Sequence, residues 1–188
     1  MPGACSQDLD AQVRRAAAWR PSLALVIIGA NDLTRLVPPE HAATQLGDAV
    51  RTLRAAGAEV VVAPAPDLSV VPWVPAAMRP VVRAGSLRLQ QAQVRVARAA
   101  GARIADAAVT TAAGFADDPT LFSADRFHPS SAGYALIADA LAPAVLAAAS
   151  DLSSRSAATG NRPAPRTGLG GVQVVGQDRA SERSLSWD

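Results

Sequence analysis

Apolar and polar positions along this chain fall into two periods, one of strands and one of helices. Residues 23–28, Leu-Ala-Leu-Val-Ile-Ile, form an unbroken apolar run. That is the pattern of a strand buried on both faces, as in a parallel sheet covered by helices. The run stops at Gly29-Ala30-Asn31-Asp32, placing an amide and a carboxylate at the carboxyl end of a central strand spanning 23–30. Open α/β sheets hold their ligands at that end. Before it, Leu9, Val13 and Ala16/Ala17 share a helical face over residues 6–19, with Ser6 or Asp8 as cap and Pro21 as the stop. After it, Pro38-Pro39-Glu40 opens a second helix. Ala43, Leu46, Val50 and Leu53 make its buried stripe, and Gly57 ends it. Residues 59–63, Glu-Val-Val-Val-Ala, are the next strand, so the order strand–helix–strand implies a right-handed parallel crossover.

Residues 64–80 hold five prolines around Trp73 and read as a stiff loop leaving the same carboxyl edge. A long helix is predicted from about 80 to 100, with Gly85 able to interrupt it. Arg88, Gln91, Arg95 and Arg98 lie on its exposed side, and Gly101 closes it. Residues 103–107 are a short final strand. A loop through Gly114, Asp117-Asp118-Pro119 and residues 125–129 leads to the last helix. Ser130 or Ser131 caps that helix, Tyr134, Ile137, Leu141 and Val145 are its buried face, and Pro143 is expected to kink it. From about Ser150 onward the chain is rich in Ser, Gly, Pro and Arg. Residues 1–149 therefore read as one domain and 150–188 as a disordered tail. Gly168-Leu169-Gly170-Gly171 lacks the flanking strand and helix of a phosphate-binding loop.

Composition narrows the function classes. The 188 residues suit one domain with a real core, nearly half of them are apolar, and aromatics are scarce. All 18 basic residues are arginine and the net charge is only +2. The high pI thus reflects the lack of lysine rather than a basic patch, which argues against nucleic acid. With Cys5 as the sole cysteine, no internal disulfide or cysteine-based zinc site can form. No apolar run approaches the roughly 18 residues of a membrane span, and Met1-Pro2-Gly3-Ala4 does not open a signal peptide. Neither localisation nor oligomeric state is legible.

Two histidines are present. His41 falls in the first turn of a predicted helix among solvent-facing residues and reads as a surface side chain. His128 follows Asp125 by three residues on a loop entering a helix. At that spacing a carboxylate can fold back on the imidazole, hold its Nδ1–H and leave Nε2 to take a proton from a nucleophile. A helix-capping aspartate beside an incidental histidine explains the pair equally well. Asn31-Asp32 after a strand is open in the same way, as turn chemistry or as a side-chain N–H aimed at a developing oxyanion.

Taken together, Ile28-Gly29-Ala30-Asn31-Asp32 and Asp125-Arg126-Phe127-His128-Pro129 in an α/β chain resemble the SGNH (GDSL-type) hydrolases. The resemblance covers most of residues 3–147 and is closest in wording to actinobacterial members. It implies a three-layer α/β/α fold with a flavodoxin-like parallel sheet, and a serine ester hydrolase that acts on a small-molecule ester without metal or cofactor. Asn31 matches the family's oxyanion-hole asparagine, and Asp125 and His128 match its triad acid and base. Gly3 sits where the family's second oxyanion donor, a glycine N–H, belongs. The family's Gly-Asp-Ser block has no counterpart in this sequence, and Ser6 and Cys5 follow no strand. The resemblance therefore implies a nucleophile upstream of Met1 and an N-terminally incomplete fold. The strand at 23–30 would then present an unpaired edge, and this chain alone would be inactive or severely impaired. The alternative is a catalytically inactive, truncated or binding-only domain.

Overall fold

A computed structural model describes residues 3–158. The expected disordered tail lies outside the described residues from 159 onward. A 3₁₀ turn at Ser6–Asp8 leads into α1 (Leu9–Ala18). There follow β1 (Leu23–Ile27), the short α2 (Ala30–Thr34), α3 (Pro39–Ala55) and β2 (Glu59–Ala63). The chain then forms α4 (Arg79–Ala99), β3 (Arg103–Ile104), α5 (Ala107–Asp117) and α6 (Ser131–Ala158). The strands form a parallel sheet in the order β1-β2-β3, with Leu23 opposite Glu59, Ile27 opposite Ala63 and Val62 opposite Ile104.

The two-residue period of the strands sorts their side chains into two cores. Val60 and Val62, with Val26 and Ile28, pack against Leu9 and Val13 of α1, Leu46, Val50 and Leu53 of α3, and Ala97 of α4. Val61 and Ala63, with Leu23, Leu25 and Ile27, face Ile137, Leu141, Val145 and Ala148 of α6. This is a three-layer α/β/α arrangement. β2 lies between neighbours on both sides and is buried at all five positions, whereas β1 is an edge strand of the described sheet and buries only Val26 fully. A third cluster packs Val71 and Val74 against Phe115 and Phe122, fixing the proline-rich loop over the carboxyl edge.

Five expectations are corrected. The first strand ends at Ile27 because the chain turns at Gly29 and winds at once into α2. The final strand is two residues long: Ala105 still donates to the Val62 carbonyl at 2.9 Å, but Asp106 then turns into α5, an alanine-rich helix read as loop from its weak periodicity. Gly85 lies inside an unbroken α4, in open space. Tyr134 is exposed rather than buried, at 42%. Finally, α6 runs past Pro143 and through residues 150–158, where composition predicted tail. Because Gly133, Asp139 and Pro143 interrupt its apolar run, the sequence conceals that α6 is long and apolar enough to cross a membrane, with a mean hydropathy of 1.6. In this fold α6 is a layer packed on the sheet.

Candidate active site

The site residues sit at the carboxyl edge of the sheet in two groups. α6 runs back along the sheet, and Arg155 near its end reaches Glu59 at the amino end of β2 (2.8 Å). The start of α6, and His128 just before it, therefore lie at the carboxyl end.

The first group is built on the turn after β1. Gly29 has φ 129°, and a β-carbon there would come within 2.6 Å of Ala65 Cβ, so only glycine lets the two strand ends approach. Gln93 of α4 is fully buried beside it. Its Oε1 accepts from Ala65 N (2.7 Å) and its Nε2 donates to the Ile28 carbonyl (3.3 Å), tying the ends of β1 and β2 together. α2 then presents Asn31, whose Nδ2 donates to the Ala4 carbonyl at 3.0 Å. The Asp32 carboxylate is wholly buried and accepts from Ser6 N (3.0 and 3.2 Å) and Ser6 Oγ (2.9 Å). Asn31 and Asp32 thus clamp the Gly3–Ser6 segment from 26 or 27 residues away. Gly3 (φ 74°) is brought beside them, with the Arg35 guanidinium 3.2 Å from where a β-carbon would sit.

These contacts revise the expected role of Ser6. It is not the helix cap; Asp8 precedes α1 and accepts from Cys5 N at 2.8 Å, while Ser6 is spent on Asp32. The Cys5 thiol is buried, and burial together with the nearby Asp32 charge pushes its pKa up, which keeps it a neutral, weak nucleophile.

The second group is a tight loop. Asp125 Oδ2 meets His128 Nδ1 at 2.6 Å, and Oδ1 accepts from Ser123 Oγ (2.7 Å), Phe127 N (2.9 Å) and His128 N (2.9 Å). Arg126 takes a left-handed φ of 59° to close the loop. Ser123 N donates to the His128 carbonyl (2.7 Å), and Phe122 bridges Pro129, so the loop is pinned at its base. The bond to His128 is the chief cause holding the Asp125 carboxyl well below the usual carboxylate range. Partial burial opposes it, and the Ser123 and backbone donors add to it. A carboxylate so placed assigns the ring proton to Nδ1, which makes Nε2 the basic nitrogen. Both side chains are about half exposed (54% and 50%). Trp73 stacks on Phe127 at 5.8 Å, and Phe127 stands edge-on to the imidazole at 4.9 Å.

The structure therefore brings Asp125 to His128, and Asn31 to the Gly3–Ala4 segment; no hydrogen bond joins the two groups among the described residues. His41 is exposed on α3 and pairs with Gln45. Among the described residues no three His, Cys, Asp or Glu side chains gather as a metal would require. Sequence reasoning missed Gln93, although a glutamine on the apolar stripe Leu89, Ala92, Ala97 was a usable signal. It also missed that Asp32 holds Ser6.

A family model for GDSL-like lipases/acylhydrolases matches residues 1–136. The chain belongs to this family. A GDSL-like esterase of Mycobacterium tuberculosis is 43% identical over 122 residues, 64% of this chain and 39% of that protein. This GDSL-family chain thus spans about two-fifths of the length of the curated relative it matches. Among solved structures, a candidate SGNH hydrolase from Slackia heliotrinireducens superposes with a TM-score of 0.59 at 26% identity, covering 76% of this chain and 79% of that one. A catalytic mutant of Axe2, an acetylxylan esterase from Geobacillus stearothermophilus, has the same fold, with a TM-score of 0.60 at 18% identity over 76% and 68% of the two chains.

Proposed function

We propose that the whole protein is a serine ester hydrolase in which His128 is the general base and Asp125 orients it. The observation that carries this reading is the 2.6 Å contact of Asp125 with His128 Nδ1, made by a carboxylate whose other oxygen is held by three donors. His128 Nε2 takes the proton of a serine hydroxyl as its oxygen attacks the ester carbonyl, then returns it to the departing alkoxide. The acyl-enzyme is hydrolysed by water through the same nitrogen. Gly3 N–H and Asn31 Nδ2–H supply the oxyanion hole; Asn31 carries two such hydrogens, and one remains after its bond to Ala4.

The nucleophile is a serine upstream of Met1, on a strand that pairs with the β1 edge. Ser6 is buried and donates to Asp32, which does not suit it to the role. A binding-only domain is the second reading, favoured by the lack of any Gly-Asp-Ser sequence in the chain.

The test is hydrolysis of p-nitrophenyl acetate by the protein tagged at its C-terminus and expressed from its own locus. Turnover should fall about 10⁴-fold or more in His128→Ala and about 10²–10³-fold in Asn31→Ala. Residues 1–188 alone should be at least as impaired as His128→Ala. No turnover in the locus-expressed protein, with the fold intact, selects the binding-only reading.

A further inference from the structure

Between Asp67 and Asp106 the chain contains no acidic residue but six arginines, at 79, 83, 88, 95, 98 and 103. Arg95 is paired with Glu40, and Arg103 with Glu59 and Asp151. Arg79, Arg83 and Arg88 are exposed near the amino end of α4, where the one ion pair is the long Arg83–Asp67 contact of 3.8 Å. Arg79, Arg83 and Leu87 recur every four residues and share one side of α4, whereas Val81 and Arg88 turn to the other. Among the described residues nine large hydrophobics are left exposed, and five of them, Trp73, Met78, Val81, Leu87 and Val109 at 44–67%, fall between the proline-rich loop and the start of α5. Every residue from Pro75 to Val81 is exposed. Between α4 and α5 an open groove of about 300 Å³ is lined by Leu87, Val109 and Ala112 together with Gln90 and the Arg83–Asp67 pair.

We infer that this face, from Trp73 through the first half of α4 to the start of α5, is a docking surface for an anionic lipid bilayer. Apolar prongs interleaved with arginines and an interfacial tryptophan are what a peripheral surface needs, since the prongs enter the acyl boundary while the guanidiniums meet lipid phosphates. Nucleic acid would use the arginines and leave Met78, Leu87 and Val109 without purpose. The net charge of +2 conceals the feature because the acids lie elsewhere along the chain. Docking would bring Trp73, linked to His128 through the Phe127 ring, to the membrane interface. Resting on the proposed hydrolase reading, this makes the substrate an ester lipid presented at that surface. The bilayer contact itself requires no turnover.

The experiment is co-flotation of the full chain with phosphatidylcholine vesicles, with and without 30 mol% phosphatidylglycerol. Binding should be at least tenfold tighter to the anionic vesicles and should weaken as salt rises. The double variant Arg79→Glu/Arg83→Glu, with an unchanged melting temperature, should lose at least tenfold, since each basic residue near such a surface is worth about fivefold. Met78→Asp/Leu87→Asp, also with an unchanged melting temperature, should lose binding to the same vesicles at all salt concentrations. Equal affinity for neutral and anionic vesicles, binding indifferent to both variants, or preference for a single-stranded oligonucleotide over vesicles would each overturn the inference. Vesicle binding by a locus-expressed protein that hydrolyses no ester leaves the docking surface standing and removes the hydrolase reading. Hydrolysis of a soluble ester without vesicle binding does the reverse.

Discussion

At Asn31 the chain is held by partners 26 to 65 residues away, whereas at His128 every bond to the Asp125 carboxylate comes from within three residues. The first group is buried: Asp32 and Gln93 have no exposed surface and spend their polar atoms on backbone and on Ser6. The second is half exposed and pinned by its own turn. On the proposed reading, the contrast separates two demands on a catalytic site. An oxyanion hole assembled from distant segments exists only when the whole fold is formed, and its supports are stability residues. A base–acid pair on a loop can be precise through local geometry and contributes little to folding, because a single hydrogen bond gains only about 0.5–1.5 kcal/mol net.

Substitutions should therefore separate activity from stability. His128→Ala has the largest expected effect, a loss of about 10⁴-fold or more in ester turnover, with urea unfolding shifted by less than about 0.5 kcal/mol. A melting temperature that falls with activity would mean that the loop is part of the structural core. Asp32→Ala should act the other way round. It leaves the Ser6 amide and hydroxyl buried without an acceptor and should destabilise the chain by about 2–4 kcal/mol, measured by the same unfolding. Gln93→Leu keeps the volume but strands Ala65 N and the Ile28 carbonyl, for about 1–3 kcal/mol.

The smallest effect is expected far from the site, at the amino end of β2. Glu59 is buried under Arg54, Arg103 and Arg155, and the Arg155 hydrogen bond is the chief cause pushing its pKa down to about 2; burial opposes the shift, and Arg54 and Arg103 reinforce it. A depressed carboxylate contributes stability above its unfolded value of 4.5, and that contribution is lost as pH falls from there to about 2. With the three arginines partly in solvent, about 1–3 kcal/mol should disappear over that window. Glu59→Gln should flatten the acid limb of a stability–pH curve. An unchanged limb would place the acid sensitivity elsewhere.

The same division explains what could be read before folding was known. Asp125 and His128 were legible because their geometry follows from a three-residue spacing. β2 was legible to the residue because its apolar residues Val60–Ala63 are bracketed by Glu59 and Pro64 and fit a strand covered on both faces. Asn31 was found by its place after a strand, but the Asp32–Ser6 clamp joins segments 26 residues apart, and neither residue type carries a signal for the other. α5 was missed because alanines and threonines offer weak periodicity, and its burial depends on Phe115 meeting Phe122. α6 ran beyond its expected end because Ser and Arg, read as tail composition, also suit the solvent face of a helix, and Arg155 is drawn in by Glu59.

The central claim is that His128 activates a serine that the 188 residues do not contain. It is tested most directly by treating the locus-expressed protein with a fluorophosphonate and mapping the modified peptide by mass spectrometry. The account predicts a single labelled serine N-terminal to Met1, with labelling abolished by His128→Ala. A label on Ser6, or labelling that persists without His128, would contradict it.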